Sequence, residues 1–208
     1  MRSSCIRAAR EPTIASRQVT PRFAEQIARE FAREEQLAAP AVGVDDIPRS
    51  YEAITDEWLT AVLCGASPEA RVIAHRLGEP DDGGTNRRRI DLTLNDAGRR
   101  AGVPASVFCK ASHSLDKRII LAELGFTQGE VTFYRQYREL LDIDAPVCLL
   151  AAYDPVTFNS ILVFDDLVRL GAEFCDERTN VSIARARSQL ALLARLHGRF
   201  LGSDEVHA

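Results

Sequence analysis

The segment RRRIDLTL, residues 87–94, alternates polar and apolar side chains, and no other pattern constrains the fold of this chain as strongly. Such alternation is typical of a β-strand with one face against a core and the other toward solvent. Further strands are predicted at residues 71–78 and 104–111, and in the segments PVCLLAAYD and NSILVFDDL. The turn segments EPDDGGTN and NDAGRRAG separate the first three strands. The sequence therefore predicts a five-stranded antiparallel sheet.

Helices are predicted before, between and after these strands. Thr55 has the position of an N-cap, with two acidic residues directly after it, so a short helix is expected to begin there. Residues 118–141 have helical periodicity that is interrupted near Gly125 or Gly129. Residues 178–202 predict a last helix with apolar side chains at helical spacing. The order helix, three strands, helix, two strands, helix indicates an α+β fold.

The composition argues against several classes of protein. The 208 residues are 46% hydrophobic and 27% charged, as in an ordinary globular chain, and the net charge of −4 disfavours a nucleic-acid partner bound through a broad basic surface. No segment approaches the roughly 20 apolar residues of a membrane span, so no membrane partner is predicted. The five cysteines are scattered and form no metal-binding motif. We therefore expect a cytoplasmic protein with reduced thiols and no metal ligands of its own.

The segment VFCK ends an apolar strand with Lys110. Lysine is almost never fully buried unless it is paired, so Lys110 either reaches water or meets a negative group. Glu130, at the start of a predicted helix, is the candidate partner. Gly83 and Gly84, in the turn before the second strand, let backbone amides approach an anion closely. Together these residues predict a site in which Lys110 lies between a carboxylate and phosphate oxygens.

The same residues have structural alternatives, which the sequence leaves open. Lys110 is otherwise a strand-end lysine in water, Glu130 a first-turn acid favoured by the helix dipole, and the glycine pair an ordinary turn. The three arginines at 87–89 are predicted to form a solvated strand face rather than phosphate contacts. Residues 165–166 are predicted to form a hinge or turn rather than a metal site, within an extended connector whose backbone groups face a nucleobase.

Five phrases in chain order resemble the aminoglycoside phosphotransferase and choline-kinase-like superfamily, closest to its ecdysteroid-kinase-like (CHK kinase-like) branch. They are PASVFCK, GEVTFYRQY, PVCLLAAYD, ILVFDDL and LALLARLHGRF, and the resemblance covers about residues 47–202. It implies a protein-kinase-like small lobe, with a helix of the αC type against the sheet, followed by the first helix of a large lobe. It also implies ATP with Mg²⁺ as ligands, and phosphoryl transfer to a hydroxyl group of a small-molecule acceptor.

By this likeness, each candidate site residue has a role in ATP binding. Lys110 contacts the α- and β-phosphates with Glu130 as its partner. The residues expected to cover the phosphates are Gly83, Gly84 and Thr85. The residues expected to form the adenine hinge are Phe164, Asp165, Asp166 and Leu167.

Phosphoryl transfer needs more than a phosphate site, because a carboxylate must orient the acceptor hydroxyl and further groups must hold Mg²⁺. The resemblance implies an H-G-D-x-x-x-x-N loop and a later metal Asp for these roles, and the sequence contains no such loop. His197 and Gly198 begin like it, but Arg199 stands in place of the Asp. We therefore expect a phosphotransferase truncated before its catalytic loop, with no catalytic residue present. The alternative is a catalytically inactive nucleotide-binding or protein-interaction remnant.

Three regions follow from these patterns. Residues 1–45 are expected to be an N-terminal extension with one exposed helix at 20–38, where apolar side chains form a narrow stripe among Glu and Arg. Residues 46–166 are expected to form the nucleotide-binding small lobe. Residues 167–208 are expected to form the connector and the first helix of an incomplete large lobe. The apolar stripe of that helix needs a large lobe to pack against and otherwise leaves an exposed patch.

Overall fold

Five strands form one antiparallel sheet in the computed structural model, which describes residues 21–202 apart from 38 and 177. The spatial order is β1-β2-β3-β5-β4, because the β4–β5 hairpin joins the sheet through its second strand. The predicted α+β class and five-stranded antiparallel sheet are thereby confirmed. The strands are β1 (Val72–Leu77), β2 (Asn86–Leu94), β3 (Ser106–Ala111), β4 (Cys148–Tyr153) and β5 (Ser160–Asp165).

Six α-helices accompany the sheet within the described part of the chain. The Thr55 side chain accepts a hydrogen bond from the Trp58 amide at 3.0 Å, so the predicted N-cap is confirmed. Gly125 has a φ of 66° and separates two helices, which locates the predicted break. The helices are α1 (Pro21–Leu37), α2 (Asp56–Leu63), α3 (Asp96–Arg100), α4 (Leu115–Leu124), α5 (Phe126–Thr132, continued by a π turn over Phe133–Tyr137) and α6 (Ile183–Phe200).

One face of the sheet is sealed by α2 and the segment before it. Val107 and Cys109 of β3 are fully buried on this face, and Trp58 and Leu59 of α2 pack in the same cluster with no exposed surface. The Trp58 indole Nε1 donates to the Asp46 carbonyl at 2.9 Å, so its polar edge is satisfied as well. This face forms the main hydrophobic core of the protein.

The opposite face is only partly covered. Val131 of α5 packs on Leu162 and Phe164 of β5, and the rings of Tyr134 and Phe164 meet edge to face with centroids 5.0 Å apart. Successive side chains of a strand point to opposite faces, so Lys110 shares this second face with its pairing partner Leu162. The helix covers the β5 side, and the β2 side of the same face remains open.

The helix α1 was expected to be exposed, and the structure corrects this prediction. Ile27 is fully buried, and Phe31 lies under the guanidinium of Arg118, 4.8 Å from ring centroid to Cζ. Arg118 of α4 is itself buried and pairs with Glu34 of α1 at 2.5 Å. A buried arginine needs such a partner, which explains why one turn of α1 is held against α4. The alternating Glu and Arg residues of α1 suggested a solvent-exposed helix and gave no sign that it packs against α4.

The helix α6 is present where it was predicted, and none of its described residues is buried. Its apolar side chains Ile183, Leu190 and Leu193 are exposed. The rings of Tyr137 and Phe200 meet 5.6 Å apart and hold the end of the helix near the π turn. No helix in the described part of the chain combines the length and apolarity needed to cross a bilayer. The predicted boundaries at residues 45 and 166 stay predictions.

Candidate functional site

An open cavity of about 570 Å³ lies on the partly covered face of the sheet. Its walls come from β2, β3, β5, α5 and the segment that follows β5. A cavity of this size suits a ligand of nucleotide or cofactor dimensions, since small-molecule sites span about 300–1,000 Å³. Most of the charged side chains predicted to be functional lie along these walls.

Strand register arranges the cavity floor as two parallel rows of side chains. Arg87 lies opposite Lys110 across the β2–β3 pair, and these two form the charged row. Arg89 lies opposite Phe108, which in turn lies opposite Phe164, and these three form the aromatic row. Neighbouring rows are two residues apart along each strand, or about 7 Å. A ligand on this floor therefore meets two cations at one end, and at the other it meets flat apolar rings flanked by Arg89, which is paired with Asp166.

The structure brings Lys110 and Glu130 together, as the sequence suggested. The Lys110 Nζ lies 2.5 Å from Glu130 Oε1, and both side chains are about a third exposed. An ammonium group has three N–H donors, and this contact uses one of them. The remaining donors of Lys110 are directed by a fixed carboxylate and are available to a second acceptor in the cavity. Whether that acceptor is a phosphate stays a prediction.

The glycine turn does not form the cavity wall as expected. The Gly83 amide donates to the Thr85 carbonyl at 3.1 Å, so the tip of the hairpin is closed on itself. From this hairpin the wall instead contains Asp81 and Arg87. Gly83, Gly84 and Thr85 are not among the residues that line this cavity, and the Gly83 amide is bonded within its own turn and so is not presented to an anion. That these residues cover a bound ligand stays a prediction.

The segment after β5 leads within two residues into a turn over residues 167–171, so it is not extended over this length. A hinge or turn was expected at residues 165–166, and whether they form an adenine hinge stays a prediction. Phe164 is buried on the aromatic row, and the Asp165 amide donates to the Val147 carbonyl at 3.1 Å. The Asp166 and Leu167 carbonyls accept from amides further along the chain, within a turn over residues 167–171. These residues do line the cavity, but two of the carbonyls expected to face a nucleobase are engaged inside the turn.

Asp166 is buried and anchors this turn to the sheet. Its carboxylate accepts from Ser106 Oγ at 2.8 Å and from Arg89 Nη2 at 3.1 Å, and Arg89 Nε lies 2.7 Å from Asp166 Oδ2 as an ion-pair contact. Burial by itself raises the pKa of Asp166, but the hydrogen bonds from Ser106 and Arg89 outweigh it and leave the pKa below its usual value. Asp166 is therefore an ionised structural group, and within the described residues no cluster of three His, Cys, Asp or Glu side chains is arranged to hold a metal ion.

Neighbouring groups with titratable protons are not activated for chemistry. Burial and the Glu130 carboxylate raise the pKa of Tyr134 to about 12. Burial raises the pKa of the Cys148 thiol to about 12 as well, so it stays protonated at neutral pH. The cavity therefore has the properties of a binding site formed by fixed charges and aromatic rings, and neither of these groups serves as a nucleophile.

Two side chains that line the cavity were not anticipated from the sequence, Arg87 and Arg89, which were assigned to a solvated face. Both face the cavity, whereas Arg88 between them points to the other side of the sheet. There Arg88 pairs with Glu52 at 3.0 Å and lies 5.4 Å from the centroid of the Tyr51 ring. The alternation in RRRIDLTL could have shown that residues 87 and 89 lie on the same face of the sheet, because side chains two residues apart in a strand share a face. It does not show which of the two faces that is.

Comparison with models of protein families, with curated proteins and with solved structures finds no match for this chain. Its function is therefore inferred from the cavity itself.

Proposed function

We propose that this cavity binds ATP, and that the chain is the nucleotide-binding part of a small-molecule phosphotransferase of the aminoglycoside-phosphotransferase-like type. The observation that carries the proposal is the Lys110–Glu130 ion pair at 2.5 Å. In protein kinases, a lysine on the third strand and a glutamate on the following helix pair in this way while the lysine contacts phosphate. Here the lysine is on β3 and the glutamate on α5.

The two rows of the cavity floor suit the two parts of a nucleotide. Phosphate oxygens accept from the free donors of the charged row, and a purine stacks on the rings of the aromatic row. Stacking of a base on an aromatic side chain contributes about 1–3 kcal/mol and works for any base. Phe108 is the ring in the centre of that row, between Arg89 and Phe164. The triphosphate end then lies toward Lys110 and Arg87.

The charges of the cavity bear on the need for Mg²⁺. Its walls carry three cationic side chains and four carboxylates, so an unaccompanied triphosphate meets a net negative site. The described residues contain no three-ligand metal cluster, so Mg²⁺ fits this site as the ion that the phosphates carry.

The chemical reaction is a separate part of the proposal. Transfer of the γ-phosphoryl group to an alcohol requires a carboxylate that orients the hydroxyl, and none of the cavity carboxylates is assigned this role. A second candidate, an inactive relative that binds nucleotide or a partner protein, shares the binding step and differs in turnover. The exposed apolar stripe of α6 favours that candidate. Release of ADP in the presence of alcohol acceptors distinguishes the two.

The lysine content of the chain allows a direct test of binding, because Lys110 and Lys117 are its only lysines. An acyl-phosphate derivative of ATP transfers its acyl group to an amine beside the bound phosphates, with release of ATP and formation of an amide. We expect mass spectrometry to show acylation at Lys110 and not at Lys117, which lies on α4 and pairs with Asp116 at 3.6 Å. Excess Mg·ATP should suppress the labelling.

Calorimetry of Mg·ATP binding completes this test. Replacement of Lys110 by Ala is expected to weaken binding at least about tenfold, which corresponds to about 1.4 kcal/mol. Lys117→Ala is the matched control and is expected to bind like the wild type. Equal labelling of both lysines, or equal affinity of both variants, contradicts the assignment of Lys110 to the phosphates.

A further inference from the structure

Arg87 is the cation that strand pairing sets directly beside Lys110. The two residues are partners in the β2–β3 register, and both side chains line the cavity. Directly opposed residues of an antiparallel pair have Cβ atoms about 4.5–5.5 Å apart, so their terminal groups reach the same anion. The arginine is about one third exposed, which leaves its guanidinium accessible from the cavity.

Asp81 fixes the orientation of that guanidinium. The Arg87 Nε donates to the Asp81 carbonyl at 3.0 Å, and Nη2 donates to the Asp81 carboxylate at 2.9 Å. A guanidinium has five N–H donors in a planar fork, so this contact leaves three for another acceptor. One side of the fork is held by the hairpin, and Nη1 has no partner among the described residues. Arg87 is thus prepared to bind an oxyanion.

Gly83 leaves room for this arrangement, which is a role different from the one first considered. A Cβ atom at position 83 would lie 2.8 Å from Arg87 Nη2, closer than real contacts allow. A Cβ atom at position 84 would meet nothing within 4 Å. The first glycine of the pair therefore makes room for the arginine side chain, whereas the second does not.

We propose that Arg87 is a second phosphate-binding residue of the cavity, and that Asp81 and Gly83 are positioning residues that hold its guanidinium. The inference rests on the proposed function and deepens it, because it assigns the polyphosphate to a Lys110–Arg87 pair and not to the backbone of the glycine turn. It also predicts selectivity for the number of phosphates. The arginine contributes to the binding of ATP and contributes little to the binding of adenosine.

The test measures the affinities of the full chain for Mg·ATP, for adenosine and for inorganic tripolyphosphate with Mg²⁺. Replacement of Arg87 by Gln is expected to weaken Mg·ATP and tripolyphosphate binding about tenfold and to leave adenosine binding unchanged. Arg88→Gln is the matched control, because the adjacent side chain points to the opposite face of the sheet. It is expected to bind all three ligands like the wild type.

The glycine pair gives a second comparison that leaves the arginine in place. Gly83→Ala is expected to weaken Mg·ATP binding severalfold by displacing the guanidinium, while Gly84→Ala is expected to have no effect. The clash involves the end of a flexible side chain, so neither variant should lower the midpoint of thermal unfolding by more than a few degrees. Equal affinities for the two alanine variants, together with a wild-type value for Arg87→Gln, overturn the inference.

Failure of the proposed function is distinguishable from failure of this inference. Wild-type protein that binds Mg·ATP, with no loss in Arg87→Gln, retains the ATP site and removes Arg87 from it. Wild-type protein that binds tripolyphosphate but not Mg·ATP, with loss in Arg87→Gln, supports the anion-binding role of Arg87 and overturns the nucleotide proposal. Wild-type protein that binds neither ligand overturns both.

Discussion

The two faces of the sheet are formed by the same strands and have opposite characters. On the α2 face, Val107, Cys109 and Trp58 are completely buried in an apolar core. On the other face, Phe108 and Lys110, which alternate with Val107 and Cys109 along β3, line an open cavity. Alternation along one strand thus places core side chains and cavity-lining side chains one residue apart. The stability of the sheet comes mainly from one face, which leaves the other free to carry charged groups.

The largest expected loss of stability comes from a substitution in the core on the sealed face of the sheet. Trp58→Ala is expected to lower the free energy of unfolding by about 3–5 kcal/mol, because it removes a fully buried indole from the core. Phe108→Ala, on the open face, is expected to cost about 1–2 kcal/mol, since its ring is only partly buried. Urea denaturation of the two variants checks this order.

Ligand affinity should show the reverse order. Phe108→Ala is expected to weaken Mg·ATP binding by about 1–3 kcal/mol through loss of stacking. Folded Trp58→Ala protein is expected to retain wild-type affinity. A loss of stability in Phe108→Ala as large as that in Trp58→Ala would mean that the open face is part of the core.

An intermediate effect is expected from Asp166, the structural group of the open face. Asp166→Asn is expected to cost about 1–3 kcal/mol at neutral pH, because the buried Ser106 and the partly exposed Arg89 lose a charged acceptor. The folded pKa of Asp166 lies below the unfolded value, so its contribution is complete above about pH 4 and is lost as the pH falls through the folded pKa.

The acid side of the stability curve checks this prediction. Asp166→Asn should be less sensitive to acid below pH 4 than the wild type, by chemical denaturation at a series of pH values. Asp165→Asn is the control, because the neighbouring carboxylate is more exposed. Equal acid sensitivity of wild type and Asp166→Asn would show that Asp166 does not anchor the turn after β5.

The smallest effect at neutral pH is expected at His113, which extends the sealed face beyond β3. Its ring is buried against Tyr51 at 4.7 Å, and burial together with the nearby Arg118 charge lowers its pKa to about 3. Below the pKa of about 6.5 that His113 has in the unfolded chain, the unfolded chain binds a proton at this residue and the folded chain does not. Stability is therefore lost from about pH 6.5 down to pH 3, approaching about 1.4 kcal/mol per pH unit.

Replacement of His113 by Phe should remove this component of the pH dependence while keeping the ring against Tyr51. Urea denaturation between pH 4 and pH 7 measures the slope for the two proteins. His197, exposed on α6, is the control, and His197→Asn is expected to leave the slope unchanged. An unchanged slope in His113→Phe would show that His113 is accessible to protons in the folded state.

The features predicted correctly from the sequence are those that depend on neighbours along the chain. The N-cap at Thr55 and the break at Gly125 depend on hydrogen bonds and backbone angles within a few residues. The strands follow from alternation in the same way. The Lys110–Glu130 pair was also anticipated, because a lysine at the end of an apolar strand calls for a partner.

The errors concern contacts between distant segments. The exposure of α1 was mispredicted because Arg118, which binds Glu34, lies far away in the sequence. The contact between the Asp166 carboxylate and Arg89, 77 residues earlier, was not anticipated in the turn or connector expected after β5. Neither partner can be identified from local composition, since many arginines in the chain have the same local setting.

The sequence by itself determined that residues 87–94 form a strand with two different faces. Only the tertiary structure decided which face is open, because α2 covers one side of the sheet and α5 covers just part of the other. Because of this covering, Arg87 faces the cavity and Arg88 faces the core side of the sheet. Gly83 then leaves room for the Arg87 guanidinium. Periodicity is a property of one segment, whereas the covering of a face depends on where separate segments pack.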